Sequence, residues 1–177
     1  MQIFRRLIYC WIIFSSSFVF AQETYPNKPI KIYVGFPAGT STDIIARVYA
    51  QNLSETLKVP VVVENKPGAS SNIAAEIVFN SEPNGYSLLL GTIANSISAS
   101  LYKNLEFNFA NDFAPIAMVG SATTVLVVKA NSNMSNVQDL INLTKSNPKD
   151  VSYGSAGIGT APHMAGELLN LMAGTSM

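Results

Sequence analysis

The sequence predicts an α/β fold with a mainly parallel sheet. Three observations carry that expectation. Short β-rich apolar runs alternate with longer segments of helical period, and turns bearing Pro, Gly or Asn separate them. The runs are also near-continuous in their apolar character, as strands covered on both faces require.

Each element follows in order. Ile30, Lys31, Ile32, Tyr33 and Val34 form the first strand, closed by a turn from Pro37 to Gly39. Ile44, Ile45, Val48, Tyr49, Leu53 and Leu57 then recur at helical spacing and predict a helix over 42–57. Thr42 or Ser41 is its expected cap, with Asp43 near the positive end of the helix. Val61, Val62 and Val63 form the second strand, ended by the turn Asn65-Lys66-Pro67-Gly68. Ser70 or Ser71 caps a helix carrying Ile73, Ala74, Ile77 and Val78, and Pro83-Asn84-Gly85 turns the chain into a third strand over 86–90. Residues 93–112, rich in Ser, Asn and aromatic side chains, predict a short helix and then a loop. Further strands are expected over 116–119, 125–128 and 149–153, with helices over 137–145 and 162–172. Between the last strand and helix runs a second glycine-rich link, Gly154 to Thr160.

The first residues belong to export rather than to the fold. Arg5 and Arg6 precede an apolar run over 7–20 that ends in Val19-Phe20-Ala21, the pattern of a secretory signal peptide over residues 1–21. Its core is short for a membrane span; an uncleaved anchor is the alternative. Cys10, the one cysteine, lies inside this core after Tyr9, a poor fit to a lipoprotein cleavage site. The exported chain then lacks thiols, which removes disulfides, cysteine nucleophiles and thiolate metal sites. Eleven basic residues face 11 acidic ones, and losing Arg5 and Arg6 leaves a slightly acidic chain, so nucleic acid is not an expected partner.

The motifs narrow the chemistry further. The turn "VGFPAGTSTD" lacks the Gly-Lys-Ser/Thr ending of a nucleotide loop and the dinucleotide glycine pattern. Neither glycine turn supplies Gly-x-Ser-x-Gly, and a Ser155–His163 pair matches no hydrolase signature. His163 is the only histidine, too few for a zinc cluster. It has two readings, a helix-start residue that bonds locally or a residue beside a ligand cleft. Asp43 likewise either satisfies amides of the first helical turn or faces an amine-bearing ligand. Two small-residue turns remain, 38–42 and 155–161, each feeding a helix N-terminus. In an open α/β sheet such turns lie where ligands collect, and free amides there favour an anion. Hydroxyls of Thr40, Ser41, Thr42, Ser155 and Thr160 are available to share its oxygens. The combination points to capture of a small carboxylate without catalysis.

Five stretches carry a resemblance: "YPNKPIKIYVGFPAGTSTDIIAR", "VVVENKPGASSNIAAE", "EPNGYSLLLG", "NDFAPIAMVGSATTVLVV" and "VSYGSAGIGTAPHMAGELL". In order and spacing the chain from Tyr25 onward resembles the substrate-binding proteins of tripartite tricarboxylate transporters, the Bordetella uptake gene (Bug, TctC-like) family. The resemblance implies a periplasmic-binding-protein-like fold of two α/β lobes with a ligand cleft between them. It places the first lobe at 22–128, without its usual return segment, and the start of a second, incomplete lobe at 129–177. The implied role is that of a periplasmic, monomeric receptor, not an enzyme and needing no cofactor. Its partners would be a small organic carboxylate and the membrane components of a tripartite tricarboxylate-type transporter. By motif the ligand falls to Pro37, Ala38, Gly39, Thr40 and Ser41, with Asp43, and to Ser155, Ala156, Gly157, Gly159 and Thr160, with His163 beyond. Arg47 reads as structural, and Tyr86 and Tyr153 as neighbours of the cleft.

The chain departs from the family at Gly39-Thr40, where paired glycines are usual, at 67–71, where the family is richer in glycine, and at Asn84 in place of Asp. It also stops at Met177, before the family's usual continuation, so a truncated product is expected. A degenerate paralogue with little or no ligand binding is the alternative.

Overall fold

A computed structural model describes residues 24–148 and 150–177. The expected signal peptide at 1–21 lies outside the described residues. Three parallel strands, β1 (Ile30–Val34), β2 (Val61–Asn65) and β3 (Ser87–Leu90), form one sheet in the order β2-β1-β3. Five helices follow one another along the described chain: α1 (Ser41–Leu57), α2 (Asn72–Phe79), α3 (Ile93–Leu101), α4 (Val137–Ser146) and α5 (Ala161–Ala173). Ile30 pairs with Val61 on one side of β1, and Lys31 with Ser87 on the other.

β1 is central because its residues tolerate burial on both faces: Ile30, Ile32, Tyr33 and Val34 are all buried. Val34 is wholly inaccessible, which contributes on the order of 2 kcal/mol. The connection through α1 leads to one neighbour of β1, and the connection through α2 passes back to the other. Right-handed crossovers then put the two helices on opposite faces of the sheet. Ile32 and Val34 pack with Ala46 and Ala50 of α1, and Phe36, Leu53, Val61, Val63, Leu88 and Leu90 close around them. The result is a parallel α/β lobe whose strand order reverses about β1, and in open sheets of this kind ligands collect beyond the carboxyl ends of the strands at such a reversal.

Several expectations need correction. α1 forms as expected, but Ile44, Val48 and Tyr49 face outward while Asp43, Ala46 and Ala50 are buried. Alanine lets the helix approach the sheet closely, so the largest apolar residues do not mark the buried face. Its cap is Thr40 rather than Ser41 or Thr42. Ser71 does occupy the cap position of α2, yet its side chain makes no capping bond because its backbone is left-handed.

The strands expected over 116–119 and 125–128 do not form, and residues 150–153 join no ladder either. A strand exists only by pairing, and neither edge of the described sheet takes these runs. Ile116, Met118 and Val127 are 79%, 88% and 77% exposed. A bond donated by the Tyr49 hydroxyl to the Val119 carbonyl (3.0 Å) ties the first run to α1. After α3, Phe107 is buried among Phe79 and Phe113, with ring centroids 5.8 and 5.6 Å away.

Candidate functional site

The turn after β1 is set by one glycine and one carboxylate. Gly39 has φ of +83°, a conformation that a Cβ penalises. Its N–H donates to Asp43 Oδ2 at 2.9 Å. The Thr40 hydroxyl donates to the Pro37 carbonyl at 2.8 Å, and the Thr40 carbonyl accepts the first helical bond from Ile44 N–H at 2.9 Å. The amides of Ser41, Thr42 and Asp43 then begin α1 without intrahelical acceptors. Pro37, Ala38 and Gly39 are exposed.

Asp43 is 2% exposed and holds this end of the lobe together. Besides Gly39, it accepts from Arg47 Nε at 2.9 Å and from Asn65 Nδ2 at 2.9 Å. Asn65 also donates to the Phe36 carbonyl at 3.0 Å and accepts from Arg47 Nη2 at 3.0 Å. The Arg47 bond, then the Gly39 amide and Asn65, hold the Asp43 carboxyl well below the usual carboxylate range, while Arg47 is raised in turn. Three donors converge on this carboxylate, and both of its oxygens are turned inward. Arg47 is tied into this frame by its bonds to Asp43 and Asn65, with its side chain half exposed. Asn65, read there only as a turn residue, is the cross-link between the ends of β1 and β2.

The second glycine turn repeats the first almost bond for bond. Gly159 has φ of +80°, and its N–H faces His163 Nδ1 at 3.4 Å. The Thr160 hydroxyl donates to the Gly157 carbonyl at 2.6 Å, and its carbonyl accepts from Met164 N–H at 3.0 Å. Thr40 and Thr160, both helix caps, have φ/ψ of −72°/162° and −81°/161°. His163 therefore stands where Asp43 stands, three residues into its helix. One turn further on, Arg47 is matched by Glu167, so the two frames carry opposite polarity. Glu167 accepts from the Tyr153 hydroxyl at 2.8 Å, and this bond, with burial, raises the tyrosine above its ordinary range. An imidazole accepting at Nδ1 is the Nε2–H tautomer when neutral. Its remaining N–H is a donor, whereas Asp43 offers none.

Bonding within the turns changes the inventory of ligand donors. The Thr40 and Thr160 hydroxyl protons both point at turn carbonyls, and Ser155 Oγ accepts from Gly157 N–H at 3.3 Å. Ser41 and Thr42 keep their hydroxyls for other partners. Pro162 removes one amide from the second helix start, so that end offers Ala161 and His163. Ala156 is exposed beside Ser155 and Gly157.

A third loop, not expected at the site, lies at the end of β2. Ala69, Ser70 and Ser71 follow Gly68 with φ of 45°, 55° and 74°. Left-handed backbone costs an L-residue about 1–2 kcal/mol. Such strain persists where surrounding structure over-determines it, often at ligand clamps. The Ser70 hydroxyl donates to the Ile158 carbonyl of the second turn and lies 3.4 Å from the Tyr102 hydroxyl. Ser71 packs on Gly35, which leads into the first turn. Asn95 and Asn72 anchor the loop from beneath, through Asn95 Nδ2 to the Ser71 carbonyl (3.3 Å) and Asn72 Nδ2 to Ser98 Oγ (3.0 Å). An open groove of about 570 Å³ beside Arg47, Gln51, Glu55 and Val62 contains no residue of either glycine turn.

Residues 45–177 match the family model described as tripartite tricarboxylate transporter family receptor. The chain is 36% identical over 169 residues to a UPF0065 protein of Bordetella pertussis, covering 95% of this chain and 52% of the relative. It is similar to the solved periplasmic binding protein BugD, with 35% identity and a TM-score of 0.72 over 86% of this chain and 51% of that one. An R. palustris protein, Rpa4515, solved with adipate, gives 30% identity and a TM-score of 0.80 over 86% of this chain and 52% of that one. The chain spans about half the length of the curated relatives it matches.

Proposed function

Because the chain belongs to the tripartite tricarboxylate transporter receptor family, we propose that it captures a small organic carboxylate and delivers it to the membrane components of such a transporter. It is a periplasmic receptor rather than an enzyme. The observation that supports this reading best is the pair of matched turns. Each presents a helix start whose amides have no intrahelical acceptor, and the helix dipole adds to their attraction for an anion. In this reading residues 22–128 are the first lobe and 129–177 begin a second, with the cleft between the two turns.

Pro37, Ala38, Gly39, Thr40 and Ser41 shape the first half of the clamp, and Ser155, Ala156, Gly157, Gly159 and Thr160 the second. Asp43 acts from behind, by holding the Gly39 amide inward and neutralising Arg47. His163 holds Gly159 in the same way and turns its Nε2–H toward the ligand. The adipate bound by the R. palustris relative makes a dicarboxylate the first probe to try. The protein works as a monomer and has no nucleic-acid partner.

Titration calorimetry of the full chain with adipate and a panel of small organic acids tests the reading. Saturable heat with at least one acid is expected; no heat across the panel sinks it. Gly39→Val is expected to weaken that binding by about tenfold, since a β-branched residue resists φ above zero and moves the turn. No atom lies within 4 Å of the added Cβ, so the loss would come from backbone conformation rather than a clash. Unchanged affinity in this variant would remove the first turn from the site.

A further inference from the structure

The strained loop at the end of β2 touches both halves of the clamp through adjacent residues. Ser71 packs on Gly35, before the first turn, so closely that a Cβ there would overlap its side chain and backbone. Ser70 donates to the Ile158 carbonyl of the second turn, 88 residues away in sequence. Gly159 completes the contact: a Cβ on it would meet Leu101 Cδ1 at 2.9 Å and Ser70 Oγ at 3.3 Å. Both turns are thus seated on one short segment, through the side chains of the adjacent residues Ser70 and Ser71.

We infer that Ser70 is a positioning residue that fixes the second glycine turn against the first, and that its bond to Ile158 sets the length of dicarboxylate the clamp accepts. The inference rests on the receptor reading above and deepens it. A ligand with a carboxylate at each end is sensitive to the separation of the groups that hold it. A bond from Ser70 to a carbonyl inside the second turn restrains that separation directly. Ser70 touches no ligand in this account and acts through Ile158 and Gly159.

The test uses the full chain and three variants. Ser70→Ala removes the hydroxyl and keeps the strain, Ser70→Gly removes both, and Ala69→Gly relieves neighbouring strain while keeping the hydroxyl. Calorimetry with the straight-chain diacids from malonate to pimelate reads length preference. Amide hydrogen exchange, which needs no ligand, reads the turns. Both Ser70 variants are expected to reduce discrimination between adjacent diacids by about fivefold. They should also speed exchange at Gly159 and Thr160 by about tenfold, leaving Thr40 unchanged. Ala69→Gly should leave both readouts as in the parent. Unchanged length preference and exchange in the Ser70 variants overturn the proposal, as does an equal loss in Ala69→Gly. A parent chain that binds another acid of the panel but none of the diacids overturns the length claim alone, and one that gives no heat with any acid overturns the receptor reading as well. The exchange result then upholds or overturns the brace by itself.

Discussion

Gly35→Ala is expected to destabilise the lobe by about 3 kcal/mol, the upper range for overpacking a closed interior. Gly35 is buried at the end of β1, and its new methyl would fall within the contact distance of Ser71 Oγ, Cβ and Cα. A side chain tip can rotate away, but Cα cannot move without its backbone. That backbone is held between Gly68, whose carbonyl accepts from Ser71 N–H at 3.0 Å, and Asn95, which donates to the Ser71 carbonyl. Urea unfolding of the variant measures the loss. Ser71→Gly in the same chain should restore only part of it, because the Cα overlap remains. Full restoration would place the conflict in the serine side chain alone. Affinity for whichever organic acid the parent binds should fall in parallel, since Gly35 leads directly into the first turn.

Asp43→Ala is expected to lower the thermal midpoint at neutral pH by roughly 5 °C. The substitution leaves the Gly39 amide and Asn65 without their shared acceptor and frees Arg47, whose side chain is half exposed and can turn to water. The pH dependence gives the sharper test. Asp43 is held below the ordinary carboxylate value by Arg47 first, then by the Gly39 amide and Asn65. A depressed group contributes stability above its unfolded value, near pH 4, and loses that contribution as pH falls toward the folded value. The parent should therefore lose its advantage over the variant progressively below about pH 4. Midpoints recorded from pH 6 down to pH 2 should converge. Parallel curves through the acid range would mean that the carboxylate is not coupled to folding.

How much of this was legible in the sequence depends on the kind of signal involved. The β1 to β3 half could be read because strand runs, turn residues and helical period agree there, and each strand's partner lies close in sequence. Asn136 and Thr92 also obey local rules: each accepts from an amide in its own first turn, Asp139 N–H at 3.0 Å and Ala94 N–H at 3.3 Å. The runs at 116–119 and 125–128 misled because Val and Ile report a preference for a pleated surface, not the presence of a neighbour.

At the site, the two turns and their hydroxyl residues were visible as motifs. Their internal bonding was not, since Thr40 and Thr160 are as suited to ligand oxygens as to the carbonyls of Pro37 and Gly157. The role of 68–71 was hidden for a different reason. Ala69, Ser70 and Ser71 are ordinary residues in a conformation that usually calls for glycine, and only long-range packing on Gly35 and Ile158 imposes it. The departure from a glycine-richer pattern at 67–71 was the one feature of this stretch that stood out in the sequence.

The unpaired run between Pro115 and Lys129 has a consequence for handling the protein. Proteases favour solvent-facing backbone outside regular structure, and residues 115–129 lie outside every helix and strand, with Lys129 exposed at the end. A trypsin-like enzyme meets there a cutting point between the piece bearing the first turn and the piece bearing the second. Severed at that bond, the two turns would stay together only through contacts such as Ser70 with Ile158, and dilution would decide whether they part.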